Sequence, residues 1–254
     1  MAQGSAKSQV NAFRLDRAVS GCARPAGHVG GQLLVARARR APRRPVRTMG
    51  VVEIITEAGV ARADLDGDGA TARFLLALTH GAGGSVEAPD VLAVRDAALG
   101  LGGMVARVTQ PYRVRGARAP GSAARQDAAW VELVIALREL APDVPFVQGG
   151  RSNGARVACR TAIAAGARAV IALAFPLQPP GRADAPRPTR VEELRAARAG
   201  GAAVLVVTGE RDPFGIPDSG DADRIVIVPR ETHALRGHRA EIAEAVAGWL
   251  PTVL

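Results

Sequence analysis

Gly150-Arg151-Ser152-Asn153-Gly154 is the stretch that decides the fold, because it has the pattern G-x-S-x-G. It follows the apolar run Val144–Val147 and precedes a helical pattern. In that context the pattern predicts a sharp turn from a strand into a helix. The flanking glycines allow the strand and the helix to approach closely, and the serine hydroxyl is exposed at the rim of a sheet. We therefore expect Ser152 to be a nucleophile.

From Val51 onward, short apolar runs alternate with helical periodicity. The apolar runs predict strands at Val51–Ile55, Phe74–Leu78, Met104–Val108, Phe146–Gln148, Ala169–Ala174, Val204–Thr208 and Arg224–Val228. The helical pattern predicts helices near residues 88–101, 122–140, 153–165, 190–199 and 237–250. This alternation predicts an α/β fold, with a mostly parallel sheet covered by helices on both faces and ligands beyond the carboxyl ends of its strands. The connection 175–189 is too short for a large lid domain.

The net charge of +9 is concentrated in residues 1–48. These contain ten of the 33 basic side chains and one of the 24 acidic ones, so the rest of the chain is neutral. A neutral body argues against a nucleic-acid partner. A transmembrane helix needs about 18 consecutive apolar residues, and no apolar run in the sequence is that long. We therefore expect no membrane partner.

Residues 1–48 are predicted to be a disordered basic extension before a single domain at residues 49–254. Three interpretations of the extension are open: an arm for acidic partners, an arginine-rich targeting segment, or an upstream extension with Met49 as the true start. We favour the third, because the segment lacks the long apolar stretch of a secretory signal. With only two cysteines, Cys22 and Cys159, a disulfide framework is excluded and a cytoplasmic location is predicted.

A serine hydroxyl needs a base within hydrogen-bond reach, and histidine is the natural choice. The chain has four histidines. His28 lies in the extension, and His80 opens a glycine-rich loop after a strand. His233 follows the last predicted strand, whereas His238 falls in the first turn of the terminal helix. We prefer His233 as the base, with His238 as the alternative.

The base in turn needs a carboxylate that fixes its tautomer. Asp212 occupies the loop after the strand Val204–Thr208, which is the expected position for that acid. Glu210 is nearer the strand and is interpreted as a structural partner of Arg211. Asp184, after the preceding strand, is the less favoured substitute.

The run Asp64-Leu-Asp66-Gly-Asp68-Gly69 opens like a calcium-binding loop. The twelfth position of such a loop requires a bidentate glutamate, and Leu75 stands there instead. We interpret the run as a hairpin turn and predict no metal site.

Four runs resemble small α/β-hydrolases related to dienelactone hydrolases: Leu78-Thr-His-Gly-Ala-Gly-Gly84, Gly149-Gly-Arg-Ser-Asn-Gly154, Phe175-Pro-Leu-Gln-Pro-Pro-Gly-Arg182 and Thr208-Gly-Glu-Arg-Asp-Pro-Phe214. The resemblance covers residues 50–254. It is strongest to the subgroup with testis-expressed hydrolase-like proteins and the hydrolase-like domain of a chromatin-complex subunit. The chain departs from that subgroup at Asn153, where methionine is common, and at Gln178, where histidine is common.

The resemblance implies an α/β-hydrolase fold in which Ser152 is the nucleophile, Asp212 the acid and His233 the base. It implies an oxyanion hole made by the backbone N–H groups of Asn153 and of Ala82 or Gly83. As walls of the substrate pocket we expect Tyr112, Phe175, Leu177 and Phe214.

These observations predict a serine hydrolase that cleaves a small ester, lactone or thioester and requires no cofactor or metal ion. Its expected partner is a small-molecule acyl substrate. Two alternatives remain open: a non-catalytic binding or scaffold module with the same fold, and an acyltransferase with the same triad.

Overall fold

The structure is a computed structural model that describes residues 48–179 and 188–254. Its strands are β1 (Thr48–Thr56), β2 (Gly59–Asp66), β3 (Leu75–Thr79), β4 (Met104–Thr109), β5 (Phe146–Arg151), β6 (Ala169–Leu173), β7 (Ala203–Gly209) and β8 (Arg224–Val228). Its helices are α1 (Pro89–Gly100), α2 (Pro111–Val114), α3 (Ala123–Arg138), α4 (Asn153–Thr161), α5 (Val191–Ala199) and α6 (Arg239–Trp249), with a short 3₁₀ turn at Leu250–Thr252. We expect residues 1–48 to be disordered. All of them except Thr48 lie outside the described residues.

The strands form one sheet in the order β1-β2-β4-β3-β5-β6-β7-β8. From β4 to β8 in this order all neighbours are parallel, and the antiparallel pairs are β1–β2 and β2–β4, so β2 alone among these strands runs in the opposite direction. The prediction of a mostly parallel sheet is therefore confirmed. Because parallel strands end at the same edge, the loops after β3, β5, β7 and β8 meet there.

Both faces of the sheet are covered, as the alternation of strands and helices predicts. Leu75 and its neighbours on one face pack under α3, α4 and α5, whereas Leu76 and its neighbours on the other pack under α1 and α6. Adjacent strand residues thus enter different cores, which follows from the two-residue period of a strand. On α6, Ile242, Val246 and Trp249 form a buried stripe.

Strand β2 and the single-turn helix α2 are not predicted by the sequence pattern. In β2 the buried positions Ala61 and Ala63 alternate with the charged Arg62 and Asp64, and alanine is a poor indicator of strands. The first part of the supposed hairpin turn, Asp64–Asp66, lies within this strand. Since β2 pairs with β1 and β4 and not with β3, the residues after it begin a crossover, so the hairpin interpretation is wrong. The hairpin that does exist joins β1 to β2.

A buried ion pair connects β2 to β4. The Nε atom of Arg107 donates a hydrogen bond of 2.7 Å to Oδ2 of Asp66, and both side chains are almost fully buried. The mostly exposed Glu87 also contacts Arg107.

Along the described residues, no helix is both long and apolar enough to cross a membrane.

Asp66→Asn is expected to lower the free energy of unfolding by about 3 kcal/mol, because the buried Arg107 guanidinium would lose its main counter-charge. The matched control is Asp64→Asn on the same strand, whose pairing with the exposed Arg62 is 3.5 Å long. That change should cost less than about 1 kcal/mol. Urea unfolding of the three proteins measures the difference, and equal losses in the two variants would contradict the role of the buried pair.

Candidate active site

Ser152 occupies the turn between β5 and α4 in a strained backbone conformation. Its φ of 52° and ψ of −111° are unusual for a residue other than glycine. Its backbone N–H donates a hydrogen bond of 2.8 Å to the carbonyl of Leu173 at the end of β6. Strain of this kind costs of order 1–3 kcal/mol and persists where the surrounding structure determines it, often at functional sites.

The glycines on either side of Ser152 are required by close packing. A Cβ atom on Gly150 would lie 2.6 Å from the carbonyl carbon of Gly154. One on Gly154 would lie 2.7 Å from the carbonyl oxygen of His80. Side chains at these positions would push α4 away from β5 and β3, so the G-x-S-x-G pattern has the steric basis that the sequence analysis gave it.

The structure brings His233 and Asp212 to Ser152 from loops 81 and 60 residues further along the chain. His233 Nε2 lies 2.9 Å from Ser152 Oγ, and His233 Nδ1 lies 2.8 Å from Asp212 Oδ2. A carboxylate only accepts hydrogen bonds, so Nδ1 carries the proton and Nε2 is left as the acceptor that faces the serine hydroxyl. The three side chains therefore form one continuous hydrogen-bonded chain.

Asp212 is held by the turn that follows β7. Its side chain is fully buried and also accepts hydrogen bonds from the backbone N–H of Phe214 at 2.9 Å and from the Thr208 hydroxyl at 3.3 Å. Gly209 lets this turn pack directly on the histidine loop, since a Cβ atom there would lie 2.5 Å from the carbonyl of Glu231. The Phe214 ring meets the His233 imidazole edge-on at 4.4 Å between centroids.

The glycine-rich loop after β3 lies against Ser152. A Cβ atom on Gly81 would be 3.3 Å from Ser152 Cβ. The buried His80 fixes this loop: its Nε2 accepts from the backbone N–H of Gln110, so its Nδ1 donates to the Gly81 carbonyl at 2.8 Å. Burial lowers the pKa of His80, in keeping with this neutral form. The Tyr112 hydroxyl donates to the Ala82 carbonyl at 3.0 Å.

The backbone N–H groups predicted for an oxyanion hole are available for a ligand. Among the described residues, none accepts a hydrogen bond from the N–H of Ala82 or Gly83. Asn153 is the first residue of α4, and the N–H groups of a helix's first turn have no partner within the helix. Its side-chain amide donates to Gln126 of α3 at 2.7 Å, so a second helix anchors this end of the site.

The Arg151 side chain is bound by the protein itself. Its Nη2 donates to the carbonyl of His233 at 2.9 Å, and its Nε lies 3.0 Å from Oδ2 of the buried Asp90 on α1. Burial raises the pKa of Asp90, and the nearby Arg151 guanidinium opposes that rise. Arg151 therefore ties the histidine loop to the first helix.

Beside Ser152 there is an open cleft of about 180 Å³. Its lining residues are Ser152, Asn153, Arg156, Pro176, Arg190 and Phe214.

Of the four predicted walls, only Phe214 lines this cleft. Phe175 is completely buried in the core under α3 to α5, so it has no surface to offer a ligand. Leu177 is half-buried and packs against the same core. Tyr112 borders a separate small crevice next to α3 and supports the glycine loop. These three expectations are corrected accordingly, and Arg156, Pro176 and Arg190 take their place.

The alternative acid and base residues have other contacts. His238 precedes α6 and pairs with Glu241 at 2.9 Å. Glu210 accepts a hydrogen bond from the backbone N–H of Arg230, not from Arg211. Asp184 lies outside the described residues.

The chain belongs to the alpha/beta hydrolase domain family, whose model matches residues 71–227. Among curated protein sequences nothing matches the chain. This membership agrees with the sheet, the turn at Ser152 and the absence of a large lid domain from the described residues.

Solved structures share the fold at low sequence identity. Est1E from Butyrivibrio proteoclasticus is 17% identical with a TM-score of 0.62, and the match covers 80% of this chain and 98% of that one. A dienelactone hydrolase from Anabaena variabilis is 17% identical with a TM-score of 0.63, covering 81% and 97%. XC6422 from Xanthomonas campestris, described as a serine hydrolase without lid, is 18% identical with a TM-score of 0.59, covering 82% and 99%. At these identities the likeness shows the fold alone.

Gly154→Ala is expected to lower the free energy of unfolding by about 1–3 kcal/mol, because the new methyl group would collide with the backbone of His80. The control is Gly248→Ala in α6, where a Cβ atom meets nothing within 4 Å. That change should leave stability equal or up to about 1 kcal/mol higher, since alanine favours helices. Thermal unfolding compares the two variants, and a neutral Gly154→Ala would contradict the tight packing of the turn.

Proposed function

We propose that this protein is a serine hydrolase that cleaves a small ester, lactone or thioester through an acyl-enzyme. The observation that carries the proposal is the hydrogen-bonded chain from Ser152 Oγ through His233 to Asp212, with distances of 2.9 and 2.8 Å. A serine hydroxyl, a histidine base within hydrogen-bond reach and a carboxylate that fixes the histidine tautomer are the three parts of a nucleophilic serine triad.

In the first half of the reaction, Ser152 Oγ attacks the acyl carbon while its proton passes to His233 Nε2. The carbonyl oxygen gains a negative charge, which the N–H groups of Asn153 and of Ala82 or Gly83 stabilise. Each such donor typically contributes about 10²–10³ in turnover. Asp212 stabilises the positive imidazolium that forms.

The tetrahedral intermediate then collapses, and His233 returns the proton to the oxygen or sulfur that leaves. In the second half, His233 takes a proton from water, which attacks the acyl-enzyme and releases the acid and free Ser152. No step uses a metal ion or an organic cofactor, because every proton and electron pair moves between the substrate, water and these side chains.

The names of the structural neighbours agree with this class of reaction. One is a dienelactone hydrolase, and another, Est1E, has been described with ferulic acid bound. A modest open cleft suits a small acyl substrate, which is the partner we propose. The narrower resemblance to the testis-expressed and chromatin-subunit proteins, the absence of nucleic-acid and membrane partners, and the cytoplasmic location remain predictions from the sequence.

Two alternatives are kept because they use the same fold. A scaffold module would keep the arrangement of loops without turnover. An acyltransferase would use the same three residues but deliver the acyl group to an alcohol or thiol instead of water. Incubation with an ester and an added alcohol distinguishes the three functions. A hydrolase releases the free acid, a transferase forms the new ester in preference to the acid, and a scaffold module consumes no ester.

Ser152→Ala is expected to reduce turnover of short esters by roughly 10⁴–10⁶-fold and to abolish labelling by a serine-directed fluorophosphonate. Ser219→Ala, at an exposed serine of the described surface, is the control and should label like wild type. Equal labelling of wild type and Ser152→Ala would contradict the assignment of the nucleophile. An unlabelled wild type would favour the scaffold module.

Arg151→Met should lower the free energy of unfolding by about 3–5 kcal/mol, because it leaves the buried Asp90 without its counter-charge. The double variant Asp90→Leu/Arg151→Met removes both charges and should regain most of that stability. It still lacks the hydrogen bond to the His233 carbonyl, so kcat should stay about 10–100-fold below wild type through a misplaced base. Recovery of full kcat in the double variant would show that Arg151 serves stability alone.

A further inference from the structure

Two arginines line the cleft beside Ser152, and they differ in their partners. Arg156 on α4 forms a double hydrogen bond with Glu193, at 2.9 Å from Nε to Oε2 and 2.5 Å from Nη2 to Oε1. Arg190, just before α5, forms no ion pair with any described carboxylate. Arg156 is thus neutralised by the protein, whereas Arg190 is not.

Most of the hydrogen-bonding capacity of Arg190 is unused. A guanidinium has five N–H donors in a planar fork. Toward the described residues only Nη1 donates, to the carbonyls of Pro176 at 3.2 Å and Gln178 at 3.4 Å. Among the described residues, none accepts from Nε or Nη2, so three N–H donors remain for a ligand, and two of them, one from each nitrogen, lie parallel on one edge of the fork.

The charges around the cleft leave a positive excess at Arg190. Arg156 and Arg160 share two carboxylates: Glu193 contacts both arginines, and Asp127 binds Arg160 through two hydrogen bonds of 2.7 Å. The third guanidinium is that of Arg190, which has no carboxylate of its own. Burial and the nearby Arg156 charge lower the pKa of Arg190, and the Glu193 carboxylate opposes that shift.

We infer that Arg190 is the specificity residue of the cleft and that the substrate is an ester or thioester that carries a carboxylate near its reacting carbonyl. The edge formed by Nε and Nη2 matches the two oxygens of a carboxylate, which is the geometry that favours arginine over lysine. Arg190 shares the cleft with Ser152. An anion on the guanidinium therefore orients the ester beside the nucleophile. This inference rests on the proposed function.

Two pairs of esters test the inference, each with a free carboxylate and its neutral methyl ester. Mono-para-nitrophenyl adipate and its methyl ester place the charge on the acyl side. Para-acetoxybenzoate and its methyl ester place it on the leaving group. The preference is measured as the kcat/KM of the carboxylate ester divided by that of its methyl ester. We expect this ratio to exceed one for wild type in at least one pair.

Arg190→Gln is expected to reduce that ratio by about 10–100-fold, the range for a lost charge-assisted hydrogen bond to a partly buried anion. Arg190→Lys keeps the charge and a donor for the Pro176 carbonyl, so this variant should retain part of the preference for the carboxylate. It also shows whether a loss of preference in Arg190→Gln comes from the lost charge or from a folding defect.

The matched control is Arg168→Gln. Arg168 also donates to a backbone carbonyl, that of Val253, but it precedes β6 at the opposite edge of the sheet. Its ratio should equal that of wild type.

A binding measurement separates this inference from the proposed function. Calorimetric titration of Ser152→Ala with the same esters needs no turnover, and Ser152→Ala/Arg190→Gln is its comparison. Weaker binding of the carboxylate esters to the double variant than to Ser152→Ala supports the inference. If wild type hydrolyses none of the esters, the proposed function is overturned, but this binding result still stands. Equal ratios and equal binding with and without Arg190, or a preference for the methyl esters, would overturn the inference.

Discussion

The absence of side chains at Gly150 and Gly154 is the constraint on which the site depends. It allows α4 to begin against β5 and β3, with the carbonyl of His80 at a distance that no Cβ atom tolerates. Ser152 is thereby held at positive φ with its hydroxyl at the carboxyl edge of the sheet. The strain is sustained because the Ser152 N–H is bonded to the carbonyl of Leu173 and the two glycines are closely packed.

Around that fixed serine, parallel strands bring distant loops to one edge. The loops after β7 and β8 meet because Gly209 permits direct contact with Glu231, and this contact brings Asp212 to His233. The loop after β3 is secured separately, by His80 and Tyr112. Arg151, which precedes Ser152 in the G-x-S-x-G pattern, links the histidine loop to α1. It therefore supports the base and does not line the cleft.

Much of this arrangement could be predicted from the sequence because its signals are local. Apolar runs indicate buried parallel strands, the glycine pattern indicates the turn, and the position of Asp212 and His233 after successive strands indicates their common edge. Strand β2 was missed since two of its buried positions, Ala61 and Ala63, are alanines. Phe175 was misplaced because an aromatic residue after a strand can turn to the core or to the cleft, and only packing decides. The free edge of Arg190 is visible only once Glu193 is seen to neutralise Arg156.

The central claim is that Ser152 carries the acyl group during turnover. The most direct test is to mix the protein with an activated ester, quench it in acid within one turnover and map the acyl group by peptide mass spectrometry. The account predicts a single acylated peptide, modified at Ser152, whose label disappears as the acid product forms. Product release without any acylated peptide, or acylation at a different residue, would contradict it.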